Sequence, residues 1–377
     1  MLIMFGGSWQ IAKIMGIPLR LHFSWFIVFG LITWSLATHY FPHIAPELPQ
    51  VTNWLRAVLA ALLLFLSVIV HELSHSAMAR KYKIPITGIT LFIFGGVAQM
   101  KKEPPHPKAE INVALAGPLS SLLLALMFFL CFKAFAGYPG IKAIASYLMQ
   151  INLILGIFNL IPGFPMDGGR VLRAVLWKES GDYISATRRA SKAGQGIALF
   201  FIFLGLFSLF TGHGSSLWFL LIGWFLYTAA QSSYEQATVR ENLTGVRVND
   251  VMTRDVITVT EDIILSELVD NYFLRYGYGG FPVVNGEIRG IVSLKEIKGI
   301  PKDRWNNIRV RDVMQSFDKS FTVIPDDDVY MVFERMVQED KGRFLVIKGG
   351  RLVGLITRSG IARYLQIKGE LQEPKRR

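Results

Sequence analysis

Cysteine is almost absent from this chain. The single Cys131 sits inside an apolar run, so no disulfide can form within the molecule. Acidic residues are scarce as well, but only in one part. Of 28 Asp and Glu, eight lie before residue 241 and twenty from residue 241 onward. The same first part holds 18 Lys and Arg, so 18 against 8 leaves it +10 of the formal net charge of +12. An excess of positive charge raises nucleic acid as a partner. Here the basic residues fall in loops between apolar segments, which points to a lipid bilayer and not to nucleic acid. Near the N-terminus there is no small-residue cleavage site after a short apolar core. The first apolar segment is therefore expected to be retained rather than removed as a signal peptide.

What the sequence has in abundance is hydrophobic length. About half of its 377 residues are hydrophobic (51%), and the long apolar runs all precede residue 235. A hydrocarbon core of ~30 Å needs ~20 helical residues. Six segments are candidates: 21–38, 55–79, 111–136, 141–160, 194–211 and 216–230. Lys13 and Arg20 precede the first of them. Residues 40–54 carry no Lys or Arg, whereas Arg80, Lys81, Lys83, Lys101, Lys102 and Lys108 follow the second. Arg170, Arg173, Lys178, Arg188, Arg189 and Lys192 follow the fourth, and residues 212–215 have none. This alternation predicts a multi-pass cell-membrane protein with its N-terminus and C-terminal region in the cytoplasm. One segment, 84–100, fits no span. It is rich in β-branched and aromatic residues and broken by Gly88 and Gly95-Gly96, which predicts a small hairpin at the cytoplasmic side. Open strand edges are not tolerated against lipid, so the hairpin must lie against protein or in a wet pocket.

Beyond about residue 246 the composition becomes that of a soluble domain, and it repeats. Val248-Asn249-Asp250-Val251-Met252 returns as Val310-Arg311-Asp312-Val313-Met314. Each copy continues through a helix and two strands, Phe281-Pro282-Val283-Val284 with Gly290-Ile291-Val292-Ser293, and Phe344-Leu345-Val346-Ile347 with Gly354-Leu355-Ile356-Thr357. A period of about 62 residues with the same element order marks an internal repeat. The expected organisation is a polytopic α-helical membrane domain over 1–240, with its membrane-associated β-hairpin. A soluble α/β pair follows, over 241–305 and 306–377.

The chemistry concentrates in His71-Glu72-Leu73-Ser74-His75, at the end of the second span. Positions i and i+4 share one helix face, so both histidines can ligate one metal while Glu72 reaches water beside it. This is the mechanical content of H-E-x-x-H. A charged residue at that depth is expensive, and function is the default reading. The plain alternative is a polar helix end at the interface. A third ligand is needed, and the eight acids of the membrane part can be gone through one by one. Most belong to evident loops. Asp167 follows the fourth span in a stretch broken by Pro162, Gly163 and Pro165, and the topology puts it at the depth of His75. It is either the third ligand or a helix N-cap, or both. His22, at the start of the first span, either reaches the metal region or is an interfacial histidine beside aromatic residues.

His71-Glu72-Leu73-Ser74-His75 on a membrane helix, Phe158-Asn159-Leu160-Ile161-Pro162-Gly163-Phe164-Pro165-Met166-Asp167-Gly168-Gly169-Arg170 after a later one, and a C-terminal repeat pair resemble the site-2 protease family of intramembrane metalloproteases. The resemblance is to the subgroup with cystathionine-β-synthase-type (CBS) domains, and it covers nearly the whole chain. Met166 stands where the family usually has Leu. The resemblance implies that His71, His75 and Asp167 bind one Zn2+ and that Glu72 is the catalytic base. It also implies that Gly95 and Gly96 of the hairpin and Asn159 contact substrate, with Ala116-Gly117-Pro118 a further matching feature. Glycines in turns and an asparagine tying helices together remain the plain alternatives. The implied activity is zinc-dependent cleavage of a transmembrane segment of a membrane protein.

The repeats resemble a tandem CBS pair, which implies adenine nucleotide (ATP or AMP) bound between the halves. The phosphate position is Ser293 or Thr357. The ribose position is Glu296 in one repeat and Gly360 in the other, where the family has Asp. A regulatory nucleotide site and a purely structural, homodimerising module therefore both stand. Two other functions compete with the protease: a CBS-gated membrane transporter or channel, and a non-catalytic membrane scaffold that keeps a zinc site. The transporter has no need of H-E-x-x-H with a distant Asp.

Overall fold

The computed structural model describes residues 7–47, 49–93, 95–100, 103–211 and 216–372. Lys101 and Lys102 of the second basic stretch and the turn 212–215 lie outside these. Two compact units divide the chain, Met1–Ala237 and Thr238–Arg377.

The first unit opens with two strands that the apolar pattern did not announce. β1 (Ser8–Ile14) and β2 (Ile17–His22) form an antiparallel hairpin. Its two-residue turn puts both Met15 (φ 52°) and Gly16 (φ 78°) in the left-handed region, the turn geometry that matches strand twist. Because Leu21 and His22 close β2, the first helical segment begins later than the hydropathy suggests. α1 (Ser24–Ser35) runs on through a π-helical turn, Leu36–Tyr40, into α2 (Phe41–Ile44). Next come α3 (Gln50–Lys81), the hairpin strands β3 (Ile86–Phe92) and β4 (Gly95–Met100), and the helices α4 (Pro107–Ala134), α5 (Pro139–Asn159), α6 (Asp167–Ser180), α7 (Tyr183–Phe210) and α8 (Ser216–Leu243). Four of these, α3, α4, α5 and α7, are long and apolar enough to cross a membrane.

Their packing is inverted relative to a water-soluble bundle. On α3 the buried residues include Ala57, Ala60 and Ala61, while Leu55, Leu59, Leu62 and Leu66 are exposed on the opposite face. On α4, Ala114, Gly117, Ser121 and Ala125 are buried and Leu119, Leu123, Leu126 and Leu130 exposed. Small residues inside let helix backbones approach where lipid tails, not water, surround the bundle. Asn152 of α5 is fully buried and donates to Ser67 Oγ of α3 at 3.2 Å.

The expected hairpin over 84–100 is present as β3 and β4, and it joins the N-terminal hairpin. The sheet order is β1-β2-β3-β4, with β2 parallel to β3 at Leu19 and Ile89. One face packs Ile17, Leu19, Ile89 and Leu91 on Val68, Ile69 and Leu73 of α3. β4 is left as an edge beside the helix that carries the histidines.

In the second unit the two repeats form two three-stranded sheets. The first has β5 (Gly280–Asn285), β6 (Glu287–Ser293) and β7 (Gln315–Ser316). The second has β8 (Thr322–Val323), β9 (Arg343–Lys348) and β10 (Arg351–Thr357). The repeats interlock. Thr253 bridges Leu355 of the second repeat, and Gln315 pairs with Ile291 of the first. Accordingly Val248 is buried with Val329, Met336 and Phe344, whereas Val310 is buried with Leu265, Leu268 and Phe281. Each repeat therefore places its opening valine in the other's core.

Candidate metal centre

α3 presents its two histidines to α4 and its glutamate to the sheet, as the ~100° turn per residue of an α-helix requires. His71 and His75 are both buried. His75 Nε2 lies 3.2 Å from His71 Nε2. Asp167 Oδ2 lies 3.0 Å from His75 Nε2 and 3.3 Å from His71 Nε2. Asp167 is the first residue of α6, with Met166 in the N-cap position. Its carboxylate is turned to the histidines. The N-cap alternative is not what the geometry shows.

The outer nitrogens of both rings are spoken for. His75 Nδ1 lies 2.7 Å from the carbonyl of Val113, an atom that can only accept, so Nδ1 carries a proton and donates it. His71 Nδ1 lies 2.9 Å from Ser121 Oγ. Both partners belong to α4, and Gly117 sits between them at the same i, i+4 spacing. A Cβ on Gly117 would overlap His75 Nε2 and lie 2.6 Å from His71 Nε2. The α4 backbone is thus the floor on which the imidazoles rest. A proton on one ring could satisfy one of the three inner contacts. One cation at their centre satisfies all three. Tetrahedral Zn2+ with bonds of ~2.0–2.1 Å separates its ligands by about 3.3 Å, and the donor set matches that ion in spacing and in chemistry.

Glu72 Oε2 accepts a hydrogen bond from the Ala98 N–H of β4 at 3.2 Å. Gly96 lies against it, since a Cβ there would be 2.7 Å from Glu72 Cγ. Gly95, with φ 123°, begins β4. Asn159 ends α5, and its amide donates to Leu155 O of its own helix at 3.0 Å. His22 is not in the cluster. Its Nδ1 is 2.8 Å from Ser24 Oγ, which in turn accepts from Ile93 N–H at 3.1 Å, so it belongs to the junction of β2, α1 and the β3–β4 turn.

The segment before Asp167 is held from both sides. Phe164 N–H donates to Ala190 O of α7 at 3.2 Å. Arg173, two turns into α6, pairs with the fully buried Glu110 of α4 through Nε at 2.8 Å and also through Nη2. Its guanidinium lies 5.0 Å from the Phe164 ring and 4.7 Å from that of Tyr183. Ser121, the Val113 carbonyl and the Glu110–Arg173 pair were not among the expected site residues. The recurrence of Val113, Gly117 and Ser121 at four-residue spacing was the available sign of one α4 face turned to a partner.

In the second unit Ser293 and Glu296 engage each other. Glu296 Oε2 accepts from Ser293 N–H at 2.8 Å and from the Ser293 hydroxyl, and Glu296 Oε1 accepts from Gln315 Nε2 at 2.7 Å. Thr357 Oγ1 accepts from Gly360 N–H at 3.0 Å. A cavity of about 1100 Å³ lies at the other end of the strands, by the turns at Gly286 and Gly349-Gly350, and is lined by Arg254, Thr258, Phe317 and Arg351. It does not include Ser293, Glu296 or Thr357.

The chain as a whole is similar to proteins of known family. The family model for Peptidase family M50 matches residues 59–146 and 134–205, and that for the CBS domain matches 248–302 and 310–367. Putative zinc metalloprotease Rip3 of Mycobacterium tuberculosis is 34% identical over 364 residues, covering 95% of this chain and 92% of that protein. Zinc metalloprotease MJ0392 of Methanocaldococcus jannaschii is 34% identical over 374 residues, covering 97% and 99%. A solved site-2 protease from the same archaeon shares 34% identity, covers 60% of this chain and 95% of its own, and superposes with a TM-score of 0.43. The chain belongs to peptidase family M50, the site-2 proteases, and carries a tandem CBS pair. It is a membrane zinc metallopeptidase of that type, which decides against the transporter alternative.

Proposed function

We propose that His71, His75 and Asp167 hold the zinc ion, that Glu72 is the catalytic base, and that the substrate is an unwound transmembrane segment of another membrane protein. The convergence of three acceptor atoms at 3.0–3.3 Å carries this reading. When bound, the ion supplies Lewis acidity toward the scissile carbonyl and toward water. Glu72 takes the proton of the attacking water and returns it to the leaving amine. A helix opened for cleavage has bare backbone groups, and the β4 edge can satisfy them as an added strand would be satisfied. The contact of Asn159 with substrate rests on resemblance alone. The test is metal analysis beside a cleavage assay in detergent. Glu72→Gln should keep zinc and lose cleavage, whereas His71→Ala, His75→Ala and Asp167→Ala should lose both. A Glu72→Gln protein that cleaves at the parental rate would sink the assignment. Zinc without cleavage in the parent would favour the scaffold instead.

The basic residues after α3 and α5 support a cytoplasmic N-terminus and soluble pair in a multi-pass cell-membrane protein. Labelling of single cysteines from either side, in a chain lacking Cys131, tests the orientation. For the soluble pair the favoured reading is one adenine nucleotide, ATP or AMP, at the Thr357 half. At the other half a phosphate on Ser293 would meet the Glu296 carboxylate. Calorimetry of the full chain should then show one site, lost in Thr357→Ala and kept in Ser293→Ala. Heat with neither nucleotide would leave the homodimerising module, which light scattering would reveal.

A further inference from the structure

Glu72 serves a strand edge as well as the metal centre. β4 is the outermost strand of its sheet, and Ala98 lies opposite Ile89 of β3. An N–H that reaches Glu72 at 3.2 Å is directed away from β3. In an antiparallel pair alternate residues turn their backbone groups outward, so Gly96, two positions back, offers its own groups on the same side. A polar strand edge among apolar helices is costly if left bare, and the Glu72 carboxylate covers Ala98. Gly96 provides the room, because any side chain there would meet Glu72 Cγ.

A substrate strand added to this edge needs the same donor for one of its carbonyls. We infer that, without substrate, Glu72 is latched to the Ala98 N–H, and that addition of a strand to β4 releases it. Docking and freeing of the base are then one event. Ala98, through its backbone, and Gly96, through its missing side chain, are positioning residues for Glu72. A helical segment presents no free carbonyl to compete for Ala98, so the latch favours substrates that have already unwound. This inference rests on the reading of β4 as the docking edge.

The test separates the two. The probe is a dansyl-labelled peptide of alternating Leu and Val, blocked at both ends and without a metal-binding group. Its binding to the full chain in detergent is followed by anisotropy. Glu72→Gln and Glu72→Ala both leave the zinc ligands intact, but only the first keeps an acceptor long enough to reach Ala98. Glu72→Ala should bind the probe about two- to tenfold more tightly than Glu72→Gln, the worth of one neutral hydrogen bond. Exchange of the Ala98 amide in the free protein should be faster in Glu72→Ala by a similar factor. Pro is tolerated at an outward-facing edge position, so Ala98→Pro in the Glu72→Ala background should fold and lose the added affinity. Equal binding and equal amide exchange in Glu72→Ala and Glu72→Gln would overturn the latch while the docking edge stood. Unchanged binding on adding Ala98→Pro would overturn the docking edge and the latch with it. Should Glu72→Ala not fold, Gly96→Ala keeps Glu72 but crowds it off Ala98. Its Ala98 amide should then exchange faster than in the parent, and unchanged exchange would refute the latch.

Discussion

Replacing Gly117 by alanine adds one methyl group to α4 at the point where both imidazoles rest. The new Cβ would overlap His75 Nε2 and come within 2.5 Å of its Cε1 and 2.6 Å of His71 Nε2. Carbon contacts relax to roughly 3.5 Å, so the rings must retreat by about 1 Å. Zinc ligand distances tolerate only about 0.2 Å. At least one ring should therefore leave the proposed ligand set, because His75 is tethered to Val113 O and His71 to Ser121 and neither can slide freely. A misplacement of about 1 Å in a catalytic group costs on the order of a hundredfold in rate. The measurements are zinc retained against a graded chelator and cleavage of a reporter transmembrane segment. Gly196→Ala is the control. Gly196 lies on α7, and a methyl group there would meet nothing within 4 Å, so this variant should match the parent in both. A Gly117→Ala protein that held zinc and cleaved as Gly196→Ala does would refute the claim that α4 seats the histidines.

Other outcomes follow from the same geometry. Ser121→Ala removes the partner of His71 Nδ1 and should weaken zinc binding about 10- to 100-fold, as loss of an outer hydrogen bond to a metal-bound histidine does. Competition with a fluorescent chelator would read it. Arg173→Met leaves the Glu110 carboxylate buried without its partner and should cost about 3–5 kcal/mol, seen as a lower unfolding temperature in detergent. Adding Glu110→Gln should recover part of that loss, and a double variant no better than the single would show the pair is not coupled. Met336→Ala, at a fully buried position of the second unit, should cost about 2–5 kcal/mol in urea unfolding of that unit and leave zinc content unchanged.

The parts of the candidate site whose placement together was legible in the sequence are those set by local spacing or by scarcity. His71 and His75 share a face because they are four apart on one helix. Asp167 could be picked out because so few acids occur in the membrane part that each could be weighed. The hairpin over 84–100 was visible from its β-branched run and its glycines. The N-terminal hairpin was not, because the apolar–polar alternation of Trp9-Gln10-Ile11 slips at Ala12, where the pairing of β1 with β2 shifts register. Leu21 was then absorbed into the apolar run of the first helix. The interlocking of the soluble repeats was hidden for another reason. A repeat in sequence shows that two units are alike, and it does not show which unit's core the opening Val248 or Val310 enters.

The role of α4 was the hardest to read, and the reason lies in what that helix does. It contributes no ligand. Its acts on the site are a carbonyl at Val113, an absence at Gly117 and a hydroxyl at Ser121; the first is a backbone feature that any sequence possesses, and the second is a side chain that is not there. Their effect is nevertheless to choose which nitrogen of each ring faces inward. With Nδ1–H of His75 given to Val113 O, its Nε2 is left to the shared centre. The same helix carries Glu110 one turn before Val113, and through Arg173 it fixes the α6 helix that begins with Asp167. All three proposed ligands are therefore referred to α4, two through their ring hydrogen bonds and one through an ion pair. A helix that only filled space could be replaced by any apolar helix of equal length. This one cannot, because moving it by one residue would bring a side chain to the place of Gly117 and take the carbonyl from His75.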